Sequence, residues 1–117
     1  MLDFLRLIDM NVKPADADIG AMLADLWQRH LPSMHERLDL LDRAALFAAA
    51  GRLSESTRAE AQSIAHKLAG NLGMFGYGAA GSIASDIEQI LKVPTPRTLV
   101  RLASLARQLR QTLAPYL

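Results

Sequence analysis

The chain has 117 residues, 13 Lys and Arg against 12 Asp and Glu, half of its residues apolar, and no cysteine. That length supplies one real core and not two, so a single domain over residues 1–117 is expected, with a helix-leaning composition and no sign of disorder. A charge of +1 without a Lys or Arg run leaves no footprint for nucleic acid. The absent thiols exclude disulfide scaffolds, thiolate zinc sites and cysteine nucleophiles, and fit a reducing cytoplasm.

In chain order, Leu2, Phe4, Leu5 and Ile8 fall near helical spacing before Pro14, which predicts a short leading helix over Leu2 to Met10. From Asp16 or Asp18 a second pattern runs through Ile19, Met22, Leu23, Leu26, Trp27, Leu31, Met34, Leu38, Leu41 and Leu46. Its i, i+3, i+4, i+7 spacing predicts one long amphipathic helix, kinked at Pro32 because the apolar face stays in phase on both sides of that residue. Gly51 is placed to close it in the left-handed conformation.

A third helix is expected after Leu53. Ser54, Ser56 and Thr57 are candidate N-caps, Thr57 to Glu60 has capping-box spacing, and the helix ends near Phe75. Gly76 to Gly78 then turn the chain. Ala80, Ile83, Ala84, Ile87, Ile90 and Leu91 mark a fourth helix that stops before Pro94 and Pro96. With Thr95 or Thr98 as cap, Leu99, Leu102, Leu105, Ala106, Leu109 and Leu113 stripe the last helix, whose other faces carry Arg97, Arg101, Arg107 and Arg110. No alternating strand pattern occurs, so helices have only each other to bury their stripes against. The expected fold is all-α, an up-and-down four-helix bundle with a short additional N-terminal helix. No apolar run approaches the roughly 20 residues that span a bilayer, and the N-terminus lacks a basic region followed by a signal-like core.

The third helix has an unusual face. On a wheel of about 100° per residue, Ala59, Gln62, Ser63, Ala69, Gly70 and Gly73 lie within about 60° of His66, while Ile64, Leu68, Leu72 and Phe75 fall on the far side. The histidine therefore points away from the core, among small or polar neighbours. Two of those are glycines, each costing a helix about 1 kcal/mol relative to alanine. Glycine removes the side-chain barrier to close approach, so Ala59, Ser63, Ala69, Gly70 and Gly73 read as a surface for a partner's docking. An imidazole titrating near neutrality offers one nitrogen as nucleophile while the other is held by a hydrogen bond. Gln62, one turn earlier, is the candidate to hold it; Lys67, flanking at about 100°, is the candidate to meet a phosphoryl oxygen.

The run Ala65-His66-Lys67-Leu68-Ala69-Gly70-Asn71-Leu72-Gly73-Met74-Phe75-Gly76 resembles the signature of histidine-containing phosphotransfer (HPt) domains. In that family a phosphorylated histidine is followed by glycines at the fourth, seventh and often tenth positions, here Gly70, Gly73 and Gly76. The order of helices also matches, and Asp86 to Glu88 lie where the family often has an acidic helix end. The sequence departs where many members carry a lysine three residues after the histidine: Ala69 stands there, with Lys67 two positions earlier. The resemblance implies a phosphorelay intermediate with no catalytic site of its own. His66 would be the phosphoacceptor, exchanging the group with the aspartate of response-regulator receiver domains or taking it from a histidine kinase. It implies no cofactor in this chain, with Mg²⁺ and the acidic pocket brought by the receiver, and no small-molecule substrate.

The competing readings are weaker. An HPt-like module that binds a receiver or kinase without being phosphorylated is the main alternative. His30 and His35, five apart, share no helix face well enough for a metal. Trp27, Met22, Met34 and Phe47 read as core, not as a cofactor box. The glycines between Gly70 and Gly81 follow a helix, not a strand, and lack the Gly-Lys-Ser/Thr ending of a nucleotide loop. A metal-dependent bundle enzyme would need inward carboxylate and histidine pairs, which the pattern lacks.

Overall fold

A computed structural model describes residues 14–117, with side chains from residue 18 onward; the predicted leading helix over Leu2 to Met10 lies outside these residues. The chain divides into two compact units, 1–32 and 33–117. Helix α1 is Pro14–Ala49, α2 Glu55–Met74, α3 Gly78–Lys92, α4 a single turn at Pro96–Leu99 and α5 Leu102–Leu113, followed by a 3₁₀ turn at Ala114–Tyr116. Among the described residues there is no strand, and no helix is long and apolar enough to cross a membrane.

In the first unit Trp27 is buried, while Met22 is 62% exposed. Met22 was expected in the core; it sits about 140° around the helix from Trp27 and so leaves the buried stripe. Pro32 lies within α1, which continues as one helix on both sides of it.

The second unit holds the remainder of α1 and all later helices. Its core gathers Met34, Leu38, Leu41, Ala44 and Ala45 from α1, Leu68 and Leu72 from α2, Ile87 and Leu91 from α3, and Leu105, Leu109 and Leu113 from α5, each buried. Phe47 and Leu46, also expected inside, are 44% and 70% exposed. They fall at about −120° and +140° from Leu41, off the stripe that Leu38, Ala44 and Ala45 share with it. Arg110 of α5 joins α1, its Nη2 donating to Asp39 Oδ1 at 2.9 Å and to Asp42 Oδ2 at 2.7 Å. These hydrogen bonds raise the Arg110 guanidinium above its ordinary pKa.

The helix ends are chemically distinct. The α1 terminus closes with a Schellman pair: Arg52 N–H donates to Phe47 O at 2.7 Å and Gly51 N–H to Ala48 O at 3.1 Å, with Gly51 at φ +68°. The end of α2 repeats it, Tyr77 N–H to Leu72 O and Gly76 N–H to Gly73 O, with Gly76 at φ +86°. Ser54, not Thr57, caps the start of α2, its Oγ accepting from Thr57 N–H at 3.1 Å. The expected Thr57–Glu60 box gives way because Thr57 already lies inside the first turn. Thr95 caps α4 in a box with Thr98. The last helix is interrupted at Val100 and Arg101, so the expected single stripe becomes one turn and then α5.

Candidate functional site

Helix α2 divides into two faces. Ala61, Ala65, Leu68 and Leu72 are fully buried, whereas Ala59, Ser63, His66, Lys67, Gly70 and Gly73 are exposed and Gln62 and Ala69 half-buried. The face read from the wheel is thus continuous, with an imidazole 74% exposed at its centre. A Cβ added at Gly70 or Gly73 would meet nothing within 4 Å. The unit's own packing therefore does not require either glycine, and each still weakens the helix. Gly76 is different: its positive φ is the cap itself.

The imidazole is mounted from the neighbouring helix. His66 Nδ1 lies 2.9 Å from Oε1 of Glu88 on α3. An ionised carboxylate only accepts, so a neutral ring in this contact donates from Nδ1 and keeps its lone pair on Nε2. The Glu88 side chain is only 15% exposed. A largely buried acceptor beneath an exposed ring fixes the ring's orientation without covering its reactive edge.

Gln62, expected to hold the imidazole, is engaged elsewhere. Its Oε1 accepts from Arg58 Nη1 at 2.7 Å, and the same nitrogen donates to Leu91 O at 2.8 Å. The reason is reach: Arg58 lies one turn before Gln62 on the same side of α2, and its guanidinium also serves the open carbonyl end of α3. Arg58 further pairs with Glu55, which lowers the Glu55 carboxyl below its ordinary pKa and raises the guanidinium above its own.

Glu88 is the residue the sequence reading missed as a contact to the histidine. Its signal was present: Gly81, Ala84, Glu88 and Leu91 share one edge of α3, and three of the four are buried small or apolar residues. An acid on that edge faces the helix packed against it. Gly81 shows how near that helix is, since a Cβ there would stand 3.3 Å from Ala69 O and 3.5 Å from Gly73 N.

Among the described residues no three His, Asp or Glu side chains gather as for a metal ion. The arrangement offers a nucleophilic nitrogen on a rigid post, with one exposed cation, Lys67, beside it. In comparison with known proteins, the family model of the Hpt domain matches residues 25–114. No curated protein and no solved structure matches the chain.

Proposed function

The chain belongs to the Hpt domain family, and from that premise we propose that His66 accepts a phosphoryl group and exchanges it with the aspartate of response-regulator receiver domains. Membership implies histidine-containing phosphotransfer in two-component signalling, by a module and not a catalyst of the ordinary kind. The observation that carries the residue-level reading is the mounted imidazole: Nδ1 held at 2.9 Å by Glu88, in a ring 74% exposed on a face of small residues.

In the step proposed, the Nε2 lone pair attacks phosphorus of a receiver's aspartyl phosphate. The P–N bond forms as the P–O bond breaks, and the aspartate leaves as carboxylate; return transfer is the reverse. The receiver supplies Mg²⁺ and its acidic pocket. This chain supplies orientation, through Glu88, and access, through Ala59, Ser63, Ala69, Gly70 and Gly73. Lys67, exposed on α2, is the candidate to meet a phosphoryl oxygen through its flexible stem. A histidine kinase is the other donor this chemistry fits.

The test is transfer of radiolabel from phosphorylated receivers and kinases to the wild type and to His66→Gln. Acid-labile, base-stable label on the wild type alone is expected. No label from any donor, with receiver binding that survives His66→Gln but not Gly70→Leu, would instead establish a pure interaction module.

A further inference from the structure

The seam between α2 and α3 is fixed at two levels on either side of the His66–Glu88 contact. Toward the end of α2, Gly81 lets the helices approach until a Cβ would stand 3.3 Å from the Ala69 carbonyl oxygen. Toward its start, Arg58 Nη1 bridges Leu91 O on α3 at 2.8 Å and Gln62 Oε1 on α2 at 2.7 Å, while Nε donates to Glu55 Oε2 at 2.8 Å. The Leu91 carbonyl belongs to the last turn of α3, where no intrahelical donor remains for it. The Arg58 side chain is only 19% exposed, so the guanidinium is set into the seam and does not wave above it.

A one-residue slide of α3 along α2 moves its side chains by about 1.5 Å, which is enough to lose a hydrogen bond. Whether Glu88 meets Nδ1 thus depends on the register of α3, and Arg58 is the polar group that ties that helix's C-terminal end to α2. We propose that Arg58 is a positioning residue for His66: by pinning the Leu91 carbonyl it holds α3 in the register that keeps Glu88 on Nδ1 and so selects the tautomer with Nε2 free. Its functional meaning rests on His66 being the phosphoacceptor; the positioning itself does not.

The experiment reads the ring directly. Nitrogen-15 NMR of His66 at alkaline pH, where an imidazole is neutral, reports which nitrogen carries the proton. In the wild type the Nδ1–H form should dominate. Arg58→Ala should shift the ring to a mixture of tautomers, and Arg58→Lys, which keeps a cation within reach of the Leu91 carbonyl, should restore most of the Nδ1–H form. Arg110→Ala removes a tie on α1 and α5 and should leave the tautomer unchanged. If Arg58→Ala does not fold, Arg58→Met, which keeps the apolar stem, is read by the same criterion. An unchanged tautomer in a folded Arg58→Ala or Arg58→Met variant overturns the inference, as does an equal shift in Arg110→Ala or a wild type without a dominant Nδ1–H form. In transfer assays the Arg58→Ala rate should fall about tenfold, the scale of a modest loss of orientation. A wild type that shows the tautomer response but accepts no phosphoryl group would sink the proposed function and leave this inference standing.

Discussion

Two of the polar ties that cross the second unit distribute their exposure in opposite ways. Arg110 joins Asp39 and Asp42 with the cation 36% exposed and the carboxylates 67% and 42% exposed, so water screens all three groups and the tie acts as a staple between α5 and α1. His66 and Glu88 instead leave the ring 74% exposed over a carboxylate only 15% exposed. The acceptor is committed to the protein and the ring is presented to the outside. A contact that holds helices together can share its solvent equally, whereas one that presents a reactive group gives nearly all of it to that group.

The largest effect should come from closing the presented face. Gly70→Leu adds bulk where the unit leaves open space, so the fold tolerates it while receiver affinity should fall by about two orders of magnitude in a titration. An undiminished affinity would mean that partners dock elsewhere. Next, Glu88→Ala should slow phosphoryl acceptance about tenfold with little change in thermal stability, and Arg110→Ala should do the reverse, costing up to about 1 kcal/mol without slowing transfer. Equal effects of the two variants would erase the distinction between mount and staple.

The glycines sharpen the comparison further. Gly76→Ala forces an alanine to φ +86° and should destabilise the unit by about 1 kcal/mol. Gly73→Ala fills open space on a helix and should stabilise it by up to about 1 kcal/mol. Denaturant titration separates the two signs. The smallest effect is one of pH. Burial, and then the neighbouring Tyr116, with ring centroids 4.5 Å apart, raise the Tyr77 phenol above its ordinary 10.0. The fold therefore favours the neutral phenol, a contribution intact below pH 10.0 and lost as pH rises through the higher folded value. Ultraviolet titration of Tyr77→Phe against the wild type checks it: the late phenolate step should disappear, and the alkaline loss of stability should shrink with it.

Much of this is legible in the sequence alone. The bare face around His66 and the buried Leu68 and Leu72 opposite it follow from a helical period alone, and Gly51 follows from the rule that left-handed backbone closes helices. What escaped depended on partners distant in sequence. Glu88 lies 22 residues from His66, and nothing within α2 shows which edge of α3 will face it. Gln62 is the same case: its position one turn before the histidine is local information, but the guanidinium that its Oε1 accepts from is anchored on Leu91, 33 residues from Arg58. Phe47 and Leu46 are hydrophobic but out of phase, at the end of a helix whose buried stripe has already turned away from them.

The central claim is that Glu88 holds Nδ1 so that Nε2 of His66 takes the phosphoryl group. Phosphorus-to-nitrogen correlated NMR on the chain labelled by a phosphorylated receiver identifies the bonded nitrogen. A coupling to Nε2 of His66, lost in His66→Gln, is the predicted result; a phosphoryl group on Nδ1, or on a residue other than His66, would contradict it.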